Sequence, residues 1–98
     1  MIFNLKVLRG DILTFIYEVA PSKVKESSIT HAYFEYYDYK DILRSIHYLK
    51  ERGYIESKEV QSPLSPDKKD VFYTITADGM TVVEMTKKDD SVIITKED

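Results

Sequence analysis

The spacing of the apolar residues changes at Gly53, and this change constrains the fold more than any other feature of the chain. Before Gly53 the apolar residues recur every three or four positions, which is typical of amphipathic helices. After Gly53 two segments alternate β-branched or aromatic residues with polar ones, which is typical of strands. The chain has 98 residues and no cysteine. Helix and strand packing alone must therefore hold together one small domain.

Two helices are predicted before residue 38. The first spans Leu5–Val19, where six apolar residues lie within one stripe at helical pitch. It ends there because Pro21 disfavours helical geometry at the preceding residue. The second begins at Ser28, whose hydroxyl can accept a hydrogen bond from an unpaired backbone N–H. The predicted inward residues of the second helix are Ile29, Ala32, Tyr33 and Tyr36.

The third predicted helix follows Asp38, which can cap its first turn. It ends at Gly53, because glycine adopts the left-handed conformation of helix ends most easily. Its inward residues are Ile42, Ile46 and Leu49. At about 100° per residue, the residues that point the opposite way are Lys40, Arg44, His47 and Glu51.

Residues 54–60 and 71–76 predict a β-hairpin with a polar loop over residues 61–70. Thr76 can cap a fourth helix, in which Met80 and Val83 face the core and Gly79 weakens the first turn. The predicted fold class is therefore α+β and mainly α. Residues 1–87 form the predicted domain, and residues 88–98 form a tail that is frayed or adds a short strand over residues 92–94.

Two segments resemble the winged helix-turn-helix proteins. A Leu-x-x-x-Gly-apolar-Ile segment begins at Leu49, and a Tyr-x-apolar-Thr-x-x-Gly segment begins at Tyr73. This pair is similar to the end of the recognition helix, the wing and the last helix of PadR-like, MarR-like and ArsR-like regulators, and the resemblance covers about residues 5–87. Residues 8–13 and the final helix are also similar to small winged-helix proteins of Mu-like bacteriophages. The resemblance implies a winged helix and sequence-specific DNA binding by a homodimer that controls transcription.

In such a protein, the outward residues of the third helix face the major groove. Arg44 can make a bidentate contact with guanine, His47 can bond a base edge, and Lys40 is placed for a phosphate. Lys68 and Lys69, near the tip of the wing, can reach a phosphate in the adjacent groove. Residues 39–55 hold four basic and two acidic residues, whereas the other segments are net negative, within a total charge of −3. Double-stranded DNA is therefore the predicted partner.

A second hypothesis is a winged-helix protein-interaction module that does not bind DNA. The acidic total charge favours it, as do the outward aromatic residues Tyr17, Phe34 and Tyr37, because exposed aromatic side chains often mark partner contacts. The same three residues are candidates for the homodimer contact.

Known catalytic and cofactor motifs do not occur in the sequence. It has no nucleophile motif, metal-ligand pattern or glycine-rich phosphate loop. Neither an enzyme nor a cofactor is therefore expected. The absence of cysteine and of an apolar run of about 20 residues predicts a cytoplasmic protein with no membrane partner.

Overall fold

The computed structural model describes residues 4–95 as four helices and one antiparallel sheet. In chain order, the elements are α1 (Leu5–Val19), β1 (Val24–Lys25), α2 (Glu26–Tyr33), α3 (Tyr39–Glu51), β2 (Ile55–Gln61), β3 (Lys69–Ile75) and α4 (Ala77–Val83). The sheet order is β1-β3-β2. This is the α+β, mainly α class that the sequence predicts, with the element order of a winged helix. No described helix is both long and apolar enough to cross a membrane.

The core lies where α1, α3 and the sheet meet. Leu8, Ile12 and Ile16 of α1 are fully buried, and they belong to one apolar cluster with Ile42 and Leu49 of α3. Because α3 uses this side for the core, its opposite side faces solvent.

The end of α3 confirms the predicted role of Gly53. The N–H of Gly53 donates to the Lys50 carbonyl, and the N–H of Tyr54 donates to the Leu49 carbonyl, both at 3.0 Å. Gly53 has a φ of +77°, which glycine adopts without the steric cost of a side chain. The chain turns from here directly into β2, and this turn sets the position of the hairpin relative to α3.

Of the predicted capping residues, Thr76 makes a capping hydrogen bond and Asp38 does not. Thr76 caps α4 as predicted, because its hydroxyl accepts the N–H of Gly79 at 3.1 Å. Asp38 occupies the N-cap position of α3, but its side chain makes no capping hydrogen bond.

The start of α2 is the clearest difference before Gly53. The helix begins at Glu26, so the prediction that Ser28 caps it is wrong. The preceding residues form β1, a third strand that the sequence analysis does not predict, with Val24 opposite Tyr73 and Lys25 opposite Phe72. Because β1 leads directly into α2, the helix starts at Glu26, two residues before the start predicted from Ser28.

Three residues predicted to face inward are exposed, namely Ala32, Tyr36 and Met80. Tyr36 lies beyond the end of α2, so it does not follow the periodicity of that helix. In α4, the inward residues are Gly79, Val82 and Val83. A side chain at Gly79 would collide with the Tyr54 carbonyl, so this close approach fixes the inward side of α4 and leaves Met80 outside.

The C-terminal segment, residues 86–95, packs against α1. Val92 is buried in the core, and the N–H of Ile93 donates to the Lys6 carbonyl at 3.0 Å. Residues 92–94 therefore form no strand, and the described part of this segment is not a frayed tail, because it packs on α1 and its backbone bonds to that helix rather than to a sheet edge. Residues 1–3 of the predicted domain and 96–98 of the predicted tail lie outside the described residues.

Candidate nucleic-acid interface

The outward side of α3 carries the four residues that the helical spacing places there. Lys40, Arg44, His47 and Glu51 are all exposed. The opposite side is anchored by Ile42 and Leu49, both fully buried, and by Ile46. The exposed row is therefore held by a rigid element, as base recognition requires.

Three of these four side chains have a polar partner on the same helix. Arg44 Nη1 lies 3.8 Å from Asp41 Oδ1, and His47 Nε2 lies 3.5 Å from Glu51 Oε1. The Arg44 side chain is 77% exposed, and exposed pairs of this kind contribute at most about 1 kcal/mol. Arg44 can therefore exchange Asp41 for a guanine edge at small cost, whereas Glu51 can only accept, for example from a cytosine amino group.

The wing is the β2–β3 hairpin with its connecting loop, and it carries Lys68 and Lys69. Gln61 Nε2 orders the loop by donating to the carbonyls of Ser65, Pro66 and Lys68 at 3.0, 2.6 and 3.1 Å. Lys69 Nζ lies 3.8 Å from Glu59. Both lysines are exposed, and the role of Gln61 has no counterpart in the sequence analysis.

The four basic residues of the 39–55 segment are not equivalent in the structure. Lys50 is exposed on the flank of α3 nearest the wing, beside Ile55 and Ser57 of β2. Arg52 instead turns toward the C-terminal segment, with Nη2 3.2 Å from Asp89 Oδ2. The outward side of α3 therefore carries less positive charge than the four basic residues of the 39–55 segment indicate. Lys50 joins the candidate DNA contacts, since its position beside the wing follows from the fold.

The aromatic candidates do not form a single patch. Phe34 and Tyr37 line the same hollow at the turn between α2 and α3. Tyr17 lies elsewhere, with its hydroxyl donating to Glu84 Oε2 at 2.9 Å. At about 100° per residue, Tyr17 is on nearly the opposite side of α1 from Phe15, which packs toward Tyr33 of α2. Phe34 is exposed, whereas Tyr17 and Tyr37 are half-buried.

The described residues offer no arrangement suited to metal chemistry. Among residues 4–95, no group of three or more histidine, aspartate or glutamate side chains is placed to hold a metal ion.

Comparison with known proteins gives one structural match. No protein-family model and no curated protein sequence matches the chain. Among solved structures, it is similar to a candidate transcriptional regulator from Thermoplasma acidophilum, with a TM-score of 0.56 and 22% sequence identity over 76% of this chain and 72% of that chain. The likeness shows the fold. Membership of the PadR-like, MarR-like or ArsR-like regulators stays a prediction.

Proposed function

We propose that this protein is a sequence-specific DNA-binding regulator of transcription that acts as a homodimer in the cytoplasm. The observation that carries the proposal is the outward side of α3. Lys40, Arg44 and His47 are exposed there together, while the opposite side of the helix is buried in the core. A helix presented in this way fits the major groove of B-form DNA, which is about 12 Å wide. The fold shared with a candidate transcriptional regulator supports the proposal.

Each basic residue has a distinct role in the proposed complex. Arg44 reads guanine through its two parallel N–H donors, and His47 bonds a neighbouring base edge. Lys40 and Lys50 contact phosphates on either side of the groove, which fixes the position of the helix without reading sequence. The wing lysines reach the phosphates of the adjacent groove.

The acidic total charge favours binding by two protomers. Neutralised phosphates supply much of the affinity of a protein for DNA through counterion release, and a chain with a net charge of −3 presents few such contacts. Two protomers on a palindromic site double the contacts, with half-sites one helical turn or a multiple of it apart.

The experiment is a selection from a pool of random duplex DNA at two salt concentrations, followed by affinity measurements on the enriched site. We expect a palindromic sequence to be enriched. Arg44→Ala should weaken binding to it by about ten- to a hundredfold, because one bidentate base contact contributes about 1–3 kcal/mol. The preference at the matching base pair should relax as well.

Lys6→Ala is the matched control, because it removes one positive charge from an exposed side chain on α1, away from α3 and the wing. This variant should bind the selected site like the wild type. The proposal fails if Arg44→Ala binds every duplex as well as the wild type, or if no duplex is retained at low salt.

A further inference from the structure

A second exposed surface runs across α1, α2 and the turn between α2 and α3. On α1 and α2, a groove of about 490 Å³ is lined by Phe15 and Tyr33, whose ring centroids lie 6.5 Å apart. At the turn, a hollow of about 410 Å³ is lined by Phe34 and Tyr36, each 56% exposed. We call the groove and the hollow together the acidic aromatic surface.

The charged residues of this surface are all acidic. Asp11 and Glu18 line the groove, and Glu35 and Asp38 are among the residues that line the hollow, while no described lysine or arginine lines either one. Within residues 4–95, Glu18, Glu35 and Asp38 form no ion pair. Asp41 also lines the hollow, but it pairs with Arg44. The surface therefore combines exposed aromatic rings with carboxylates, of which Glu18, Glu35 and Asp38 have no ion-pair partner among the described residues.

Two tyrosines beside the groove have raised pKa values, to which the nearby carboxylates contribute. Burial, followed by the carboxylates of Asp11 and Glu18, raises the pKa of Tyr33 to about 12. Burial, followed by the Asp11 carboxylate, also raises the pKa of Tyr37, which lines the hollow. The groove and the hollow are joined through these two residues, because the N–H of Tyr37 donates to the Tyr33 carbonyl at 3.1 Å.

We propose that the acidic aromatic surface binds a second protein through a basic amphipathic segment, whose apolar side chains contact Phe15 and Phe34 and whose lysines or arginines pair with Glu18 and Glu35. This interaction goes beyond DNA binding and does not depend on it. The bound segment would supply both things that the surface lacks: cover for exposed aromatic area and positive charge for unpaired carboxylates.

Charge complementarity selects this occupant over the others. DNA and anionic lipid would place phosphates against the carboxylates. A second copy related by a twofold axis would present the same patch, so carboxylates would face carboxylates. A basic protein segment places positive charge against the carboxylates, so neither repulsion arises.

Phe34 is the expected anchor. Its ring is exposed at the start of the turn, directly after α2, and contacts His31, whose ring centroid lies 5.4 Å away. A fixed aromatic ring loses little conformational freedom on binding, and aromatic residues are enriched among the residues that dominate binding energy. Glu35, the next residue, can hold the basic partner in register.

The test uses the full chain and a fluorescent helical peptide of leucine and lysine, about four turns long, with binding followed by anisotropy. Two comparison peptides replace the lysines by glutamates or the leucines by serines. We expect only the leucine–lysine peptide to bind. Phe34→Ala, and separately Glu18→Gln with Glu35→Gln, should each weaken binding by about tenfold or more.

The matched controls lie on the wing and the C-terminal segment. Leu64→Ala removes an exposed apolar side chain, and Asp67→Asn with Asp90→Asn removes two exposed charges. These controls should bind the peptide like the wild type. His47→Ala, on the outward side of α3, should do so as well, so that failure of this proposal is separate from failure of DNA binding.

Three results would overturn the proposal. The first is an equal loss of binding in the control variants. The second is equal binding of the serine–lysine peptide, which would indicate charge alone. The third is conversion of a dimer to a monomer by Phe34→Ala in sedimentation, which would assign the surface to a second copy. Circular dichroism of the variants confirms that these surface substitutions leave the fold intact.

Discussion

At the scale of single residues, Asp89 connects three parts of the chain through one carboxylate. Oδ2 accepts a hydrogen bond from the Tyr54 hydroxyl at 2.6 Å and lies 3.2 Å from the Arg52 guanidinium, while Oδ1 accepts the Ser91 N–H at 2.8 Å. Burial alone raises the pKa of Asp89. The hydrogen bonds from Tyr54 and Ser91, together with the charge of Arg52, outweigh burial and hold that pKa below its ordinary value.

Asp89→Asn is therefore expected to lower the free energy of unfolding at neutral pH by about 1 kcal/mol, because it replaces charge-assisted hydrogen bonds by neutral ones. A depressed pKa gives stability that is complete above the unfolded-state pKa of about 4 and is lost as the pH falls through the folded-state value. Urea denaturation should thus separate variant and wild type near pH 7 and bring them together at about pH 2.

Asp67→Asn is the control for this prediction, because Asp67 is exposed in the wing loop, away from α4 and the C-terminal segment. It should match the wild type at both pH values. An equal loss of stability in Asp67→Asn, or a difference for Asp89→Asn that persists in acid, would contradict the assigned role of Asp89.

The sequence predicts which residues of a helix are exposed, but it does not predict contacts between residues that are far apart in the chain. The exposure of Lys40, Arg44 and His47 follows from the helical repeat, which fixes the residues that share one side of α3. The pairing of Arg52 with Asp89 joins residues 37 positions apart, and no local pattern encodes such a contact. The charge count of residues 39–55 therefore includes Arg52, whereas the fold directs its side chain away from the outward side of α3, toward Asp89.

At the scale of elements, the sequence again predicts what local patterns encode and misses what depends on distant contacts. α1 has the predicted bounds, and α3 and α4 begin after their predicted capping residues, because each has a periodic apolar stripe and a local start or stop residue. β1 has only two residues, which is too short for a periodic signal, and it exists through its pairing with β3. The C-terminal segment likewise takes its conformation from α1 rather than from its own composition.

Gly10 is the point where the C-terminal segment crosses α1. A side chain at Gly10 would collide with the Ile93 carbonyl. Arg9 holds the same segment by donating to the Ser91 carbonyl at 3.1 Å, while its guanidinium lies 4.2 Å from the centroid of the Tyr48 ring. Glycine within a helix costs about 1 kcal/mol relative to alanine, so close packing of the segment must offset this loss.

Gly10→Ala is expected to destabilise the protein by about 1–2 kcal/mol, because the collision with backbone outweighs the gain in helix propensity. Amide hydrogen exchange should accelerate most at Ile93, whose N–H donates to the Lys6 carbonyl. Lys6→Ala keeps that carbonyl and should change neither stability nor exchange. A more stable Gly10→Ala variant with unchanged Ile93 exchange would show that the segment does not pack closely on α1.

At the scale of the whole molecule, three surfaces differ in charge. The outward side of α3 is basic at Lys40 and Arg44, and the acidic aromatic surface is negative throughout. The third surface, formed by α4 and the C-terminal segment, exposes Met85 and Ile93 among the charged residues Lys87, Lys88 and Asp90. Because this third surface carries both signs of charge, it can pair with its own copy across a twofold axis.

The proposed homodimer should therefore form through the surface of α4 and the C-terminal segment, with Met85 near its centre. Met85 is 65% exposed and has a φ of +63°, a conformation that asparagine tolerates better than most residues. Met85→Asn thus removes apolar contact area without adding backbone strain. In sedimentation velocity, we expect the wild type to be dimeric and this variant to shift toward the monomer.

Loss of the dimer should also weaken binding to a palindromic DNA site, while binding to a single half-site stays unchanged, because α3 is untouched in each protomer. Leu64→Asn, at the 94% exposed Leu64 of the wing loop, is the control and should remain dimeric. A dimer that survives Met85→Asn but dissociates in Phe34→Ala would place the twofold axis at the acidic aromatic surface.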